Sequence, residues 1–210
     1  MSDADRADVT RASDRVDLAV YDAVVYDLYG TLVGLPVDWD AVADDVLDVY
    51  AERAITPPTD ELWGLLEAAD EFGIGEAVEA AIAFHERAGA RDSTRLPLGD
   101  RLASRAGAGA GDDGGDATEP AVGVCSLNCE AACRIAVETH NLDAAIVETA
   151  IVGRDTVETH KPEPESLLAA VERLGSEPDG ALFVGDSQRD AVTAERAGVD
   201  YAWASELIDG

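Results

Sequence analysis

Short apolar runs recur along this chain, and each stops at a turn or a polar residue. Residues 23–26 (AVVY) stop at Asp27, 121–125 (AVGVC) at Ser126, and 181–184 (ALFV) at Gly185-Asp186. A further strand is expected within 144–152, and a short last one over 201–204 (YAWA). Runs of this length, rich in branched residues and bounded by turn signals, read as buried strands. Between them lie helical patterns at 130–140, 165–174 and 190–197, the last closed by Gly198 as a C-cap. Strand alternating with helix predicts an α/β fold: a Rossmann-like parallel sheet with helices on both faces. Ligands of such sheets bind beyond the carboxyl ends of the strands, where Asp27, Ser126 and Asp186 fall.

Residues 34–104 break the alternation. Helical periodicity runs through 39–54, 60–71 and 76–88, which predicts a helical insertion, or cap, after the first strand. The expected organisation is an acidic disordered tail (1–18), an α/β core (19–33 and 119–208), the cap (34–104) and a flexible linker (105–118). Gly107-Ala108-Gly109 follows no strand and opens no helix, so it is not read as a nucleotide loop.

Charge limits the partners. The chain has 210 residues, with 44 Asp and Glu against 15 Lys and Arg, a net charge of −29. Such a field repels nucleic acid and anionic membranes, and it opposes compaction in dilute salt. At about 1 M salt the Debye length falls to ~3 Å, which suits a salt-accumulating cytoplasm. The composition resembles that of halophile proteins; a merely soluble acidic surface is the plainer alternative. No apolar stretch reaches the ~18 residues of a membrane span, and the first 18 residues lack a signal-peptide run. A cytoplasmic location is expected.

Several residues carry chemistry. Asp27 follows its strand directly, beside Gly30, whose backbone can approach a ligand; it is either a carboxylate nucleophile or a turn cap. Asp186 and Asp190 lie four apart across a strand-to-helix turn, where they can hold a hard cation such as Mg²⁺, cap the helix, or both. Ser126 offers a hydroxyl and an N–H to an anion. Lys161, the sole lysine of the chain, precedes Pro162 and can neutralise a phosphate or adjoining carboxylates. Cys125, Cys129 and Cys133 match no common zinc spacing and read as small buried hydrophobes. His85 reads as a core or interface residue. Trp39 and Trp63 read as cap core or pocket lining, and Arg87, Arg91 and Arg95 as a solvated face or an anion-recognising one.

Taken in order, Asp-x-Tyr-Gly-Thr, Ser, Lys-Pro and Gly-Asp-Ser-x-x-Asp resemble the haloacid dehalogenase superfamily, mostly phosphatases, from Tyr21 to about Leu207. The insertion after Thr31 resembles the small helical cap of one subgroup. The resemblance implies that Asp27 attacks phosphorus, Thr31 and Ser126 bind phosphoryl oxygens, and Lys161 bridges nucleophile and phosphate. It implies Mg²⁺ on Asp27, the Tyr29 carbonyl and Asp186, with Asp190 in support. The expected partner is a small phosphorylated molecule; oligomeric state is not readable.

Two positions depart from the family pattern. Tyr29 stands where phosphatases carry a second, proton-transferring Asp, and a phenol near pKa 10 is a poor base. Leu127 stands where Asn is usual, with Asn128 one step later. The Asp-x-Tyr-Gly-Thr form is that of metal-independent 2-haloacid dehalogenases, which makes dehalogenation the rival. Those relatives lack the carboxylate of Asp186 and carry Tyr where this chain has Leu167. A binding protein with weakened catalysis is the third reading.

Because so many like charges share one small domain, the melting temperature should climb as KCl is raised from millimolar to molar. A melting temperature that stays flat or falls removes the salt-adapted reading.

Overall fold

The computed structural model describes residues 16–108 and 119–208. Five strands form one parallel sheet: β1 (Ala23–Tyr26), β4 (Ala121–Cys125), β5 (Ile151–Val152), β6 (Ala181–Gly185) and β7 (Asp200–Trp203), in the order β5-β4-β1-β6-β7. Central β1 pairs on one side with β4, Tyr26 opposite Val124, and on the other with β6, Tyr26 opposite Val184. The chain builds leftward from β1 through β4 and β5, then returns to add β6 and β7. That reversal opens a crevice at the carboxyl end of β1, where such sheets bind ligands.

All four residues of β1 are buried because helices cover both faces. Val24 and Tyr26 face a cluster that includes α5 (Glu130–Thr139) through Ala132, Cys133 and Ala136. Ala23 and Val25 face the opposite cluster, with Leu167 and Val171 of α6 (Glu165–Arg173) and Ala194 of α7 (Gln188–Ala197). The α/β sheet architecture expected from the alternation is therefore the observed one. Gly198 ends α7 in the left-handed conformation, φ 67°, as a C-cap glycine does.

The segment after β1 folds into α1 (Trp39–Glu52), α2 (Leu62–Ala69) and α3 (Gly75–Arg91). Val42, Val46 and Tyr50 of α1, Leu65 of α2 and Val78 and Ile82 of α3 make a third apolar cluster. These residues recur at helical spacing, so each helix turns one stripe inward. A two-stranded ribbon, β2 (Val33–Gly34) with β3 (Thr94–Arg95), closes the base of this unit.

Two details differ from the boundaries expected from the sequence. Helix α4 (Pro97–Ala108) extends into the segment read as linker, and its Leu98 and Leu102 pack in the sheet cluster with Leu28 and Leu32. By packing it belongs with the sheet rather than with α1–α3. Ala204, read as strand, opens a short helix α8 (Ala204–Ile208) beside α4, where Arg101 donates to the carbonyls of Leu207 and Ile208. The tail expected over 1–18 lies outside the described residues up to position 15, as does the linker from 109 to 118. Among the described residues, no helix is long and apolar enough to cross a membrane.

Candidate active site

Asp27 is the first residue past β1. Its N–H donates to the Val184 carbonyl at 2.8 Å, so the β1–β6 ladder carries it to the sheet rim. The chain then turns sharply: Gly30 donates to Val33 and Leu32 to Leu28. Gly30 sits at φ 96°, a conformation open to glycine, and a Cβ there would collide with the Asp186 carboxylate. That close approach brings the β1 loop and the β6 loop together.

Lys161 reaches the same point from the connection between β5 and α6. Its Nζ is 2.7 Å from Asp27 Oδ1 and 2.5 Å from Asp190 Oδ1, and the residue is only 2% exposed. Asp190 is fixed on its other oxygen. Ser187 caps α7 in a reciprocal box: the Asp190 N–H donates to Ser187 Oγ at 3.2 Å and the Ser187 N–H donates to Asp190 Oδ2 at 3.1 Å, with Ser187 Oγ also donating to Oδ2 at 2.6 Å. Asp190 thus caps α7 and pairs with Lys161 at once. Asp186 completes a trio with Asp27 and Asp190, one carboxylate oxygen of each lying within 4.8 Å of the others.

Electrostatics at this point are strained. Burial pushes the Asp27 carboxyl up to about 6; Lys161 opposes the rise and Asp190 reinforces it. Burial alone would lower the Lys161 ammonium, but Asp27 and Asp190 outweigh it and hold it above the usual lysine range. Asp186 is raised by burial and then by Asp190. Three carboxylates face one ammonium, so the oxygen donors fit a hard divalent cation, which would supply the missing positive charge.

Two buried polar atoms nearby lack any hydrogen-bond partner: Thr31 Oγ1 and Asn128 Nδ2. Asn128 lines the pocket that contains Asp27, Lys161 and Asp186. An unpaired buried donor costs about 1–3 kcal/mol, so both atoms are suited to a bound ligand or water. Ser126, predicted as an anion contact, is buried just past β4, and its Oγ accepts from the Asn128 N–H at 3.2 Å.

Tyr29 lines the pocket too, but its hydroxyl donates to the Ala132 carbonyl of α5 at 3.0 Å. Burial, followed by Cys133 and Glu86, pushes the phenol above the ordinary tyrosine range. It is a committed donor and no base at neutral pH. The three cysteines are buried and unpaired in disulfides, and burial pushes Cys125 up to about 11, which leaves it a neutral thiol. Leu167 is wholly buried behind the sheet. His85 pairs with Asp45 at 2.6 Å on the surface of the helical unit. Arg91 donates to the Arg87 carbonyl and Arg95 pairs with Asp100, and none of these three arginines lines the pocket.

Arg154, just past β5, was not singled out by sequence, nor was Glu86 of α3. The Arg154 guanidinium contacts Glu79 and Glu86 of α3, both at 2.7 Å, and the Leu127 carbonyl at 2.6 Å. Glu86, fully buried, also accepts the Cys129 N–H at 2.9 Å. Arg154 N–H donates to the Asn128 carbonyl at 2.9 Å. One buried ion-pair cluster therefore ties the helical unit to the sheet and fixes the backbone of Leu127, Asn128 and Cys129.

The sequence profile of the family described as haloacid dehalogenase-like hydrolase matches residues 119–204. A phosphoglycolate phosphatase of Rhodospirillum rubrum is 36% identical, over 89% of this chain and 82% of that protein. The chain belongs to the haloacid dehalogenase-like hydrolase family. Within it, this is a phosphatase-type member. Phosphoglycolate phosphatase 1 of Pseudomonas aeruginosa is 49% identical over 52 residues, 25% of this chain and 19% of that protein. The fold agrees with a solved Lactobacillus plantarum structure at TM-score 0.60 and 23% identity, covering 90% of this chain and 89% of that one.

Removing the Arg154 guanidinium strands Glu86 as a buried, unpaired charge. Arg154→Ala should cost about 3–5 kcal/mol in denaturant unfolding measured in molar KCl. The double variant with Glu86→Ala should lose less than the sum of the two single losses. Strict additivity would show that the cluster does not act as a unit.

Proposed function

We propose that this protein hydrolyses a small phosphate monoester with Mg²⁺, through an aspartyl phosphate formed on Asp27. The observation that carries this reading is the buried Asp27 carboxylate, 2.7 Å from Lys161 and grouped with Asp186 and Asp190 at the mouth of the sheet crevice. The phosphatase relatives support it, and phosphoglycolate, the ester in their names, is the first to assay.

Asp27 Oδ attacks phosphorus and the ester P–O bond breaks, so the leaving oxygen departs with the bonding pair. Water then attacks the same phosphorus and the Asp27 Oδ–P bond breaks, which releases inorganic phosphate and the carboxylate; the proton lost by the water passes through solvent to the departed oxyanion. Lys161 balances the charge of Asp27 and of the incoming phosphoryl group. Thr31 Oγ1, Ser126 and Asn128 Nδ2 supply donors to the phosphoryl oxygens, which answers the two unpaired atoms. Asp27, the Tyr29 carbonyl and Asp186 would hold Mg²⁺, with Asp190 in support while it anchors Lys161. Bound there, the ion would supply stabilisation of the developing negative charge. A cytoplasmic location and a salt-adapted surface accompany this reading.

Asp186→Asn removes one charged oxygen from the trio, and Lys161→Ala leaves Asp27 and Asp190 facing each other. Each should cut Mg²⁺-dependent turnover by about a hundredfold or more in a phosphate-release assay. Near-normal rates in both variants would mean that the chemistry lies elsewhere.

Tyr29 decides between phosphate esters and haloacids. With its hydroxyl held by Ala132, no phenolic proton is directed at the leaving group. Tyr29→Asp should raise turnover of alkyl phosphates by roughly one to three orders, because it restores an acid and base. Activated aryl esters should gain less at the phosphorylation step. Haloacid turnover, were it the native reaction, should fall as a second carboxylate joins Asp27. Assaying this variant on both substrate classes, with and without Mg²⁺, separates the two reactions.

A further inference from the structure

The pocket that holds the carboxylates also has an apolar lining. Leu35 from the connection between β2 and α1, Trp39 opening α1, Leu62 and Trp63 opening α2, and Leu127 past β4 enclose, together with the polar site, a cavity of about 590 Å³. The ring of Trp63 is held in place. The guanidinium carbons of Arg154 and Arg189 each lie 5.9 Å from its centroid, and Trp39 packs against it at 6.3 Å. Arg154 is committed to Glu79 and Glu86 and so cannot turn to an incoming anion. Among the described residues, Lys161 is the one cation lining this pocket, and it is bound by Asp27 and Asp190.

We propose that this wall selects a phosphate monoester whose leaving group is an aromatic or similarly flat apolar group, in preference to a short carboxylated one. The inference rests on the phosphatase reading and names its substrate class. Three further points lead to it. An indole already packed beside Trp39 and two guanidinium groups can contact a flat group at little entropic cost. A carboxylate placed against Leu35 and Leu62 would lose hydration, and the cation it would have to reach is Arg189, which already lies against the Trp63 ring. Finally, Tyr29 offers no proton, and an aryl oxygen leaves as a stabilised anion without one.

Rates alone would confound binding with leaving-group reactivity, so the test uses three uncleavable phosphonates: benzylphosphonate, methylphosphonate and phosphonoacetate. Their inhibition constants, with Mg²⁺ in molar KCl, should rank benzylphosphonate tighter than methylphosphonate by about tenfold or more, from burial of one aryl group. Phosphonoacetate should bind no tighter than methylphosphonate; this arm also measures whether Arg189 recruits a carboxylate. Trp63→Ala should shrink the benzyl advantage to about threefold or less. Should that variant loosen the helical unit, Leu35→Asn, outside the helices, should shrink it in the same direction. Phosphonoacetate binding most tightly, or a benzyl advantage that is absent or survives both variants, overturns the inference while ester hydrolysis stands. If no ester is hydrolysed and no phosphonate binds, the phosphatase reading falls and the inference falls with it.

Discussion

The Lys161 ammonium, shared between Asp27 and Asp190, is the interaction on which the site depends. Carboxylates from two sheet loops converge where the strand order reverses, and bringing them together is unfavourable without a countercharge. At an effective dielectric constant of 20, two unit charges 4 Å apart interact by about 4 kcal/mol, enough to push the loops apart if unopposed. An ammonium is a compact charge that can contact one oxygen of each carboxylate. A guanidinium is a wide planar fork suited to both oxygens of one partner. This difference gives a physical reason why the chain, which uses arginine at every other basic position, keeps lysine here.

The same logic recurs on the cap side, with arginine. Arg154 must serve Glu79, Glu86 and the Leu127 carbonyl at once, a fan of acceptors that a planar five-donor group satisfies. Lysine could not hold that geometry. The two buried cations divide the work. Lys161 holds the reactive carboxylates together, and Arg154 holds the helical unit and the 127–129 loop over them. Strong negative charge on the surface makes such internal clusters more necessary, because outer carboxylates repel across the interface between the two units.

Much of the fold was legible because the relevant information is local. The run AVVY ending at Asp27 and the run ALFV ending at Gly185-Asp186 announce both the strands and the loop residues, since buried parallel strands are apolar throughout. Asp27 and Asp186 could be singled out because each stands at a strand end, Asp190 by its spacing from Asp186, and Lys161 because it breaks a compositional rule. What escaped notice was non-local. Helix α4 is specified by two leucines four apart that find the sheet, within a segment otherwise rich in Gly, Ala and Ser. Strand β5 was expected within 144–152, but its bounds were not legible, because its two residues are defined by pairing with Val124 and Cys125. Arg154 and Glu86 are 68 positions apart, and nothing near either residue signals a buried pair. Trp63 gave a hint as an aromatic in the cap, but only the folded chain shows it beside two guanidinium groups and lining the site.

Tyr29 links these levels. Its place in the β1 loop follows from Gly30, whose positive φ turns the chain so that the residue before it can face α5. There the phenol finds the Ala132 carbonyl and packs against the sheet cluster, which gives the loop an apolar anchor where a carboxylate would have met Glu86 and Asp27. The exchange removes one more negative charge from a crevice that already holds three carboxylates. It also removes a mobile proton. In the proposed reaction, charge stabilisation then falls to Lys161 and the bound cation, and the departing oxygen must tolerate its own charge. An apolar, ring-lined wall suits leaving groups that can do so, and the loop chemistry and the pocket shape therefore point to the same class of substrate.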